Sequence, residues 1–203
     1  IDATTGLWTE GAPNDAGDIA YNLSGGVITG FNHRQGGAIS AYNGSVTVFG
    51  VNICGNTAPK TGSNYYEGGG AVNATGNVTA KLYNVTMSGN ASGNDGGAVM
   101  VAGSSTEPNT FTMIGCTLEY NKAEYNGGAI FTFHKNDKVT LEDCIIRKNT
   151  ANREAGGINI YQGNVTLENS TLTQNTASST VGGVYIGPSI SNATLTVNRG
   201  TRI

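Results

Sequence analysis

The chain repeats itself, and the repeat dictates what it can fold into. Five blocks align on a closing asparagine: VTVFGVNICGN (46–56), AKLYNVTMSGN (80–90), FTMIGCTLEYN (111–121), VTLEDCIIRKN (139–149) and VTLENSTLTQN (165–175). With the first residue as position zero, positions 0 and +2 are apolar in every block, from Val46 and Val48 to Val165 and Leu167. Alternation of this kind is the mark of a strand with one buried face. Position +4 is Gly50, Asn84, Gly115, Asp143 or Asn169, residue types that tolerate a bend other residues resist. A second inward pair follows at +5 and +7, ending in Ile53, Met87, Leu118, Ile146 and Leu172.

A second block precedes each of these: GAISA (37–41), GAVNA (70–74), GAVMV (97–101), GAIFT (128–132), GGINI (156–160) and GGVYI (182–186). Its inward residues are Ile39, Val72, Val99, Ile130, Ile158 and Val184, which makes a third strand. Three short strands per unit, with the same face recurring in the same direction, form a coil of a parallel solenoid rather than hairpins. The expected architecture is all-β, a right-handed parallel β-helix of about seven coils with three short strands per coil. Residues 1–203 read as one domain, with an irregular N-terminal cap over 1–18 and coils over 19–203. Leu7 and Trp8 are expected to cover the open N-terminal core. Weaker coils flank the five, at 21–31, where Phe31 replaces the asparagine, and at 195–203, where Arg202 falls at inward position +7. Either that last coil is distorted or the chain stops within it. The opening IDATTGLWTEG has no Met and no signal-peptide pattern, so the chain reads as a fragment of a larger protein.

Stacked coils lie about 4.8 Å apart, so equivalent residues form columns. An inward column of Asn56, Asn90, Asn121, Asn149 and Asn175 is expected to hydrogen-bond amide to amide and to satisfy corner backbone groups. The glycine pairs permit positive φ or close approach at the opposite corner, beside the small column Ala38, Ala71, Ala98, Ala129, Gly157 and Gly183. Cys116 and Cys144 share position +5 and are expected to stack inward as two thiols, with Cys54 outward.

Charged residues make up 12% of the chain, glycine is abundant at 31 residues, and the net charge is −3. Low charge with many Asn, Thr and Ser suits an extracellular all-β protein, and the absence of clustered Lys and Arg excludes a nucleic-acid footprint. No apolar run approaches the roughly 18 residues of a membrane span. Three cysteines without a CxxC pair or neighbouring histidine argue against a disulfide framework or a zinc site.

The GGAI of 36–39 and 127–130, paired with Ile53-x-x-Asn56, Met87-x-x-Asn90, Leu118-x-x-Asn121, Ile146-x-x-Asn149 and Leu172-x-x-Asn175, resembles the repeats of polymorphic outer membrane proteins. It is also similar to adhesin-like right-handed parallel β-helix proteins of anaerobic bacteria and archaea. The likeness covers residues 21–197, with Ile, Met or Leu where the chlamydial repeats carry Phe. It implies an exported, surface-displayed protein, often part of a much longer chain.

Parallel β-helices also carry polysaccharide lyases and hydrolases, so a carbohydrate-active enzyme acting on a pectin-like substrate is the main alternative. Such enzymes need acidic clusters for Ca²⁺ or convergent carboxylates. Here the acids on offer are Glu142 and Glu168, in register at +3, with Asp143 beside them. They are a weak Ca²⁺ candidate whose plainer reading is a solvated face. His33 and His134 have no nucleophile in register and read as surface histidines; Glu119 and Arg147 read as a surface ion pair. The outward residues of the third strand include Phe131, Phe133, Tyr161 and Tyr185, an aromatic face suited to stacking on sugar rings or packing on a protein, unless a neighbouring loop covers it. The segments 57–70 and 103–111 are longer than their counterparts, and solenoid insertions tend to gather on one face. The expectation is therefore a non-catalytic, monomeric, secreted or cell-surface adhesin segment. It binds a glycan or a host or bacterial surface protein without cofactor, nucleic acid or membrane insertion. A purely structural stalk is the second alternative.

Overall fold

The computed structural model describes residues 19–62, 66–104, 106–187 and 192–203, with backbone alone for 19–24. The expected cap over 1–18, with Leu7 and Trp8, lies outside the described residues. The chain winds into a parallel β-solenoid of about six turns, near the seven coils expected, and no helix occurs among the described residues. Three sheets of eleven, six and five strands run along it.

The strands are apportioned differently from the sequence reading. The first and third strands of the repeat belong to one main sheet, and in the early coils they fuse into Ile39–Phe49 and Val72–Tyr83. Later coils split them, as in Val99–Ala102 and Thr110–Ile114, or Ile130–Thr132 and Lys138–Glu142. The second sheet is the +6 to +8 segment, Asn52–Cys54 through Thr171–Thr173. The third sheet consists of two-residue strands just after each asparagine, Thr57–Ala58 through Thr176–Ala177. Two residues carry no alternation, so periodicity had nothing to detect there.

Register is residue for residue. Val46 pairs with Ala80, Ala80 with Phe111, Phe111 with Val139 and Val139 with Val165. The small Ala80 therefore lies beside the large Phe111, and both are fully buried in one continuous core. That core also contains the inward columns at +5, +7 and the third strand, including Cys116 and Cys144, which are unbonded and buried. The hydrogen-bonded Cys116 thiol and burial push the Cys144 thiol above its usual range. Cys54 is a half-exposed free thiol.

Each corner is a left-handed residue. At +4 these are Gly50, Asn84, Gly115, Asp143 and Asn169, with φ from 44° to 64°. At the second corner the left-handed residue is the one before the asparagine: Gly55, Gly89, Tyr120, Lys148 and Gln174. Three of these are not glycine, and the asparagine that follows holds them in place. At the third corner the two glycines divide the work. The first has positive φ, as at Gly96 and Gly127, both 64°. The second admits close approach: a Cβ on Gly97 would lie 2.1 Å from the Gly128 carbonyl oxygen.

The asparagine column forms a closed network. Each Nδ2 donates to the Oδ1 of the next asparagine, at 3.0, 3.0, 2.9 and 2.9 Å from Asn56 to Asn175. It also donates to the +7 carbonyl of the preceding coil, as Asn121 does to Met87 at 3.0 Å. Each Oδ1 accepts in turn the backbone N–H of the preceding asparagine, as Asn149 does from Asn121 at 3.0 Å. Donors and acceptors are thus matched within a dry corner. The last coil is distorted by one residue: Arg202 pairs with Thr171 at the outward position +6, not at +7. The inward position then falls to Ile203, whose Cγ2 approaches Gly183.

Replacing Asn121 by Ala orphans the buried Asn90 N–H and the Met87 carbonyl and is expected to cost about 3 kcal/mol or more in urea unfolding. Asn175→Ala, at the end of the described ladder, is expected to cost less in the same measurement.

Candidate functional site

The outward residues of the third strand, Ser40, Asn73, Met100, Phe131, Asn159 and Tyr185, stack in register. They point away from the main core, as the alternation required. Several of them are not open to solvent, however. Met100, Ala102 and Phe131 form a second hydrophobic cluster, with Phe133 packed on it. Phe131 is only 3% exposed, so the expected open aromatic face is largely a covered one. Tyr161 remains 39% exposed, and Tyr185 is half-buried. The rings do come together: Phe133 stacks on Tyr161 at 5.5 Å, and Phe131 lies 6.1 Å from Phe133 and 6.4 Å from Tyr161.

The cover comes from the coil insertions. Tyr66 meets Phe133 edge to face at 6.2 Å, and its hydroxyl lies 3.4 Å from His134 Nε2. His134, expected on the surface, is half-buried in this cluster, and burial lowers its pKa. Asn73 Nδ2 donates to the Tyr66 and Gly68 carbonyls at 2.9 and 3.2 Å, fixing the backbone that carries Tyr66.

Two buried carboxylates staple these insertions, and neither was found from the sequence. Asp137 accepts the N–H groups of Asn109, Gly103 and His134 at 2.9, 3.0 and 3.3 Å. Burial nonetheless raises its pKa. Glu67 accepts the Thr61 and Gly62 N–H groups at 2.9 and 3.2 Å, with Arg34 3.8 Å away. Burial opposes its charge, but these hydrogen bonds leave its carboxyl below the usual range. Glycine stands at Gly103 because a Cβ there would lie 2.4 Å from Asp137 Oδ1.

Between the stapled insertions lies a groove of 330 Å³ on the outer face of the main sheet. Its floor is Ser40, Tyr42, Thr75 and Ala102; Tyr66 and Gln35 line it together with Gly103, Ser104 and Glu107. Tyr42 is 71% exposed and Tyr66 37%, so both offer aromatic surface. The long segments noted in the sequence therefore do converge on one face. They do so three coils earlier than the aromatic set had suggested.

Glu142 and Glu168 are register neighbours, but Asp143 accepts a hydrogen bond from Asn169 Nδ2. Among the described residues no three His, Cys, Asp or Glu side chains gather at metal-binding distance. Glu119 and Arg147 are paired at 2.7 Å, at the surface. No helix among the described residues is long and apolar enough to cross a membrane.

A parallel solenoid with a ladder corner, a glycine-pair corner and loops gathered over one sheet defines a β-helix repeat protein. Residues 115–132, which run from the +4 glycine through the ladder asparagine to the next third strand, match the family model of the Chlamydia polymorphic membrane protein (Chlamydia_PMP) repeat. The chain is a β-helix repeat protein in which one stretch matches this repeat. The repeat and the fold together are consistent with a surface, adhesin-like protein. No curated protein and no solved structure matches the chain.

One further carboxylate sits beside the glycine-pair corner. Asp95 Oδ1 accepts both Asn126 N and Nδ2, at 3.0 and 2.9 Å, and burial pushes its pKa up to about 6. Lys60 and Arg153, both over the Tyr125 ring, oppose that rise. A raised folded pKa means that protonation stabilises the fold as pH falls from above about 6 towards the ordinary aspartate value of 3.8. Asp95→Asn is therefore expected to melt at a higher temperature than the parent at pH above 6. The gap should close in acid, as read by thermal denaturation across pH.

Proposed function

We propose that this chain is part of a secreted or cell-surface adhesin that binds a saccharide, without catalysis, in the groove between its coil insertions. One observation carries the reading. The insertions, which vary from coil to coil over an otherwise uniform repeat, are held over one face by buried carboxylates and leave two accessible tyrosine rings amid hydrogen-bonding groups. An aromatic face with a few convergent polar groups is the usual composition of a sugar site. The lining, in which Glu107 is the one carboxylate among the described residues that form it, suits binding better than the paired-carboxylate chemistry of a glycoside hydrolase. A volume of 330 Å³ is at the low end of the roughly 300–1,000 Å³ of small-ligand sites, which suits a chain end of one or two rings. The solenoid supplies the rigid, extended carrier that surface display requires, and the repeat match supports placement at the cell surface.

Screening the chain on a glycan array is expected to give specific signals that Tyr66→Ala and Tyr42→Ala each reduce by tenfold or more. Binding that survives both substitutions would move the site elsewhere. A blank array for the parent chain would favour the structural stalk. Release of reducing ends or unsaturated products from pectins would favour the enzyme.

A further inference from the structure

The charge and fixed geometry of the groove narrow the ligand beyond "a saccharide", and this step rests on the saccharide reading above. Among the described lining residues Glu107 is the only ionised side chain; the others are hydroxyls, an amide, two glycines, an alanine and two tyrosine rings. The nearby cation is already committed: Arg34, next to Gln35, points its guanidinium at the buried Glu67 carboxylate, 3.8 Å away. Behind the Gly103 wall lies a second carboxylate, Asp137, fully buried. No Lys, Arg or His is among the described residues that line the groove, so its lining is acidic.

Glu107 is also held in place. Its N–H donates to Ser104 Oγ at 2.9 Å and its carbonyl accepts from Ser104 N–H at 2.9 Å, which closes a tight turn. Asp137 grips both sides of that turn through the N–H groups of Gly103 and Asn109. Across the groove Asn73 holds the Tyr66 backbone carbonyl, and His134 and Phe133 lie against the Tyr66 side chain. A groove lined by a carboxylate residue and two tyrosines is an arrangement that favours an ammonium group on a ring-shaped body. The ammonium pairs with the carboxylate and is attracted to the aromatic faces. The lining also offers the Ser40 hydroxyl and the Gln35 amide, which a polyhydroxylated ring can hydrogen-bond where the alkyl stem of a lysine does not. An acidic sugar would place its carboxylate against this acidic lining and is disfavoured.

We propose that the groove binds an amino sugar with a free ammonium group, the ammonium at Glu107 and the ring against Tyr42 and Tyr66.

The test is calorimetric titration of the whole chain in slightly acidic buffer with three tetrasaccharides of identical linkage, built from glucosamine, N-acetylglucosamine or glucose. The glucosamine oligomer is expected to bind roughly tenfold more tightly than the other two, the loss expected for one charge-assisted hydrogen bond. Glu107→Gln is expected to erase that preference. Glu107 is exposed, so the substitution should leave the melting temperature where it was. Equal affinities for the three oligomers, or a preference that survives Glu107→Gln, overturn the amino-sugar assignment and leave the saccharide reading standing. Acetyl-lysine amide binding as tightly as the glucosamine oligomer overturns the sugar part of the assignment. Failure of all three oligomers to bind, in a chain that is also blank on the glycan array, removes both readings.

Discussion

Everything else in this molecule depends on the asparagine column running through one corner. In a parallel stack the strands pair only with the coils above and below, so a slip of one residue would turn every core side chain to solvent. A ladder in which each Nδ2 must meet the next Oδ1, and each Oδ1 the previous backbone N–H, is satisfied in one register only. It also holds the non-glycine residues Tyr120, Lys148 and Gln174 in the left-handed conformation that the corner needs. The spacing between successive asparagines shrinks from 34 to 31, 28 and 26 residues along the chain, yet the column stays aligned. Whatever is added to a coil must therefore be expelled from the stack as a loop.

That constraint explains how a uniform scaffold acquires a particular surface. The surplus residues emerge at two places, between Val99–Ala102 and Thr110–Ile114 where the main sheet divides, and between the third-sheet strand Thr57–Ala58 and Val72–Tyr83, and both line a groove on the outer face of the main sheet. They pack beside a small second core on the outward face of the sheet, Met100, Ala102 and Phe131 with Phe133 packed on it, which Tyr66 meets through Phe133. Their backbones are gripped by Asp137 and Glu67, carboxylates that are buried because they saturate themselves on N–H groups that no strand partner reaches. The cost of burying these charges shows in the raised pKa of Asp137, and it is tolerated because each carboxylate organises several backbone groups at once. The groove is what remains open between the stapled loops. Its rings and its single carboxylate are thus placed by structure that the coils alone do not contain.

The scaffold was legible because its signals are periodic. Inward positions 0, +2, +5 and +7, the bend at +4, the ladder asparagines and the glycine pair each recur in consecutive coils, so neighbouring copies confirm one another. The exceptions are local. The two-residue strands after each asparagine carry no alternation. The final coil departs because its turn holds one extra residue, which carries Arg202 outward. Phe131 shows the other limit. Its outward direction followed from alternation, but its burial depends on loops whose path leaves no mark on the strand itself. Asp137 and Glu67 were missed for the same reason: a lone acid in a loop has no repeat partner to make it conspicuous.

By itself, then, the sequence determined the solenoid, its register, its corners and its core, since those follow from which residue types can stand above one another at strand spacing. Only the tertiary structure decided which outward residues see solvent and where a ligand could sit. The loops that make this choice occur once each, and they are positioned by contacts between residues far apart in the chain. Tyr66 on His134 is one such contact, and Gly103 on Asp137 another. Repetition fixes a pattern that can be read along the chain, whereas a binding site here arises where the pattern is interrupted, and interruptions are resolved only in three dimensions.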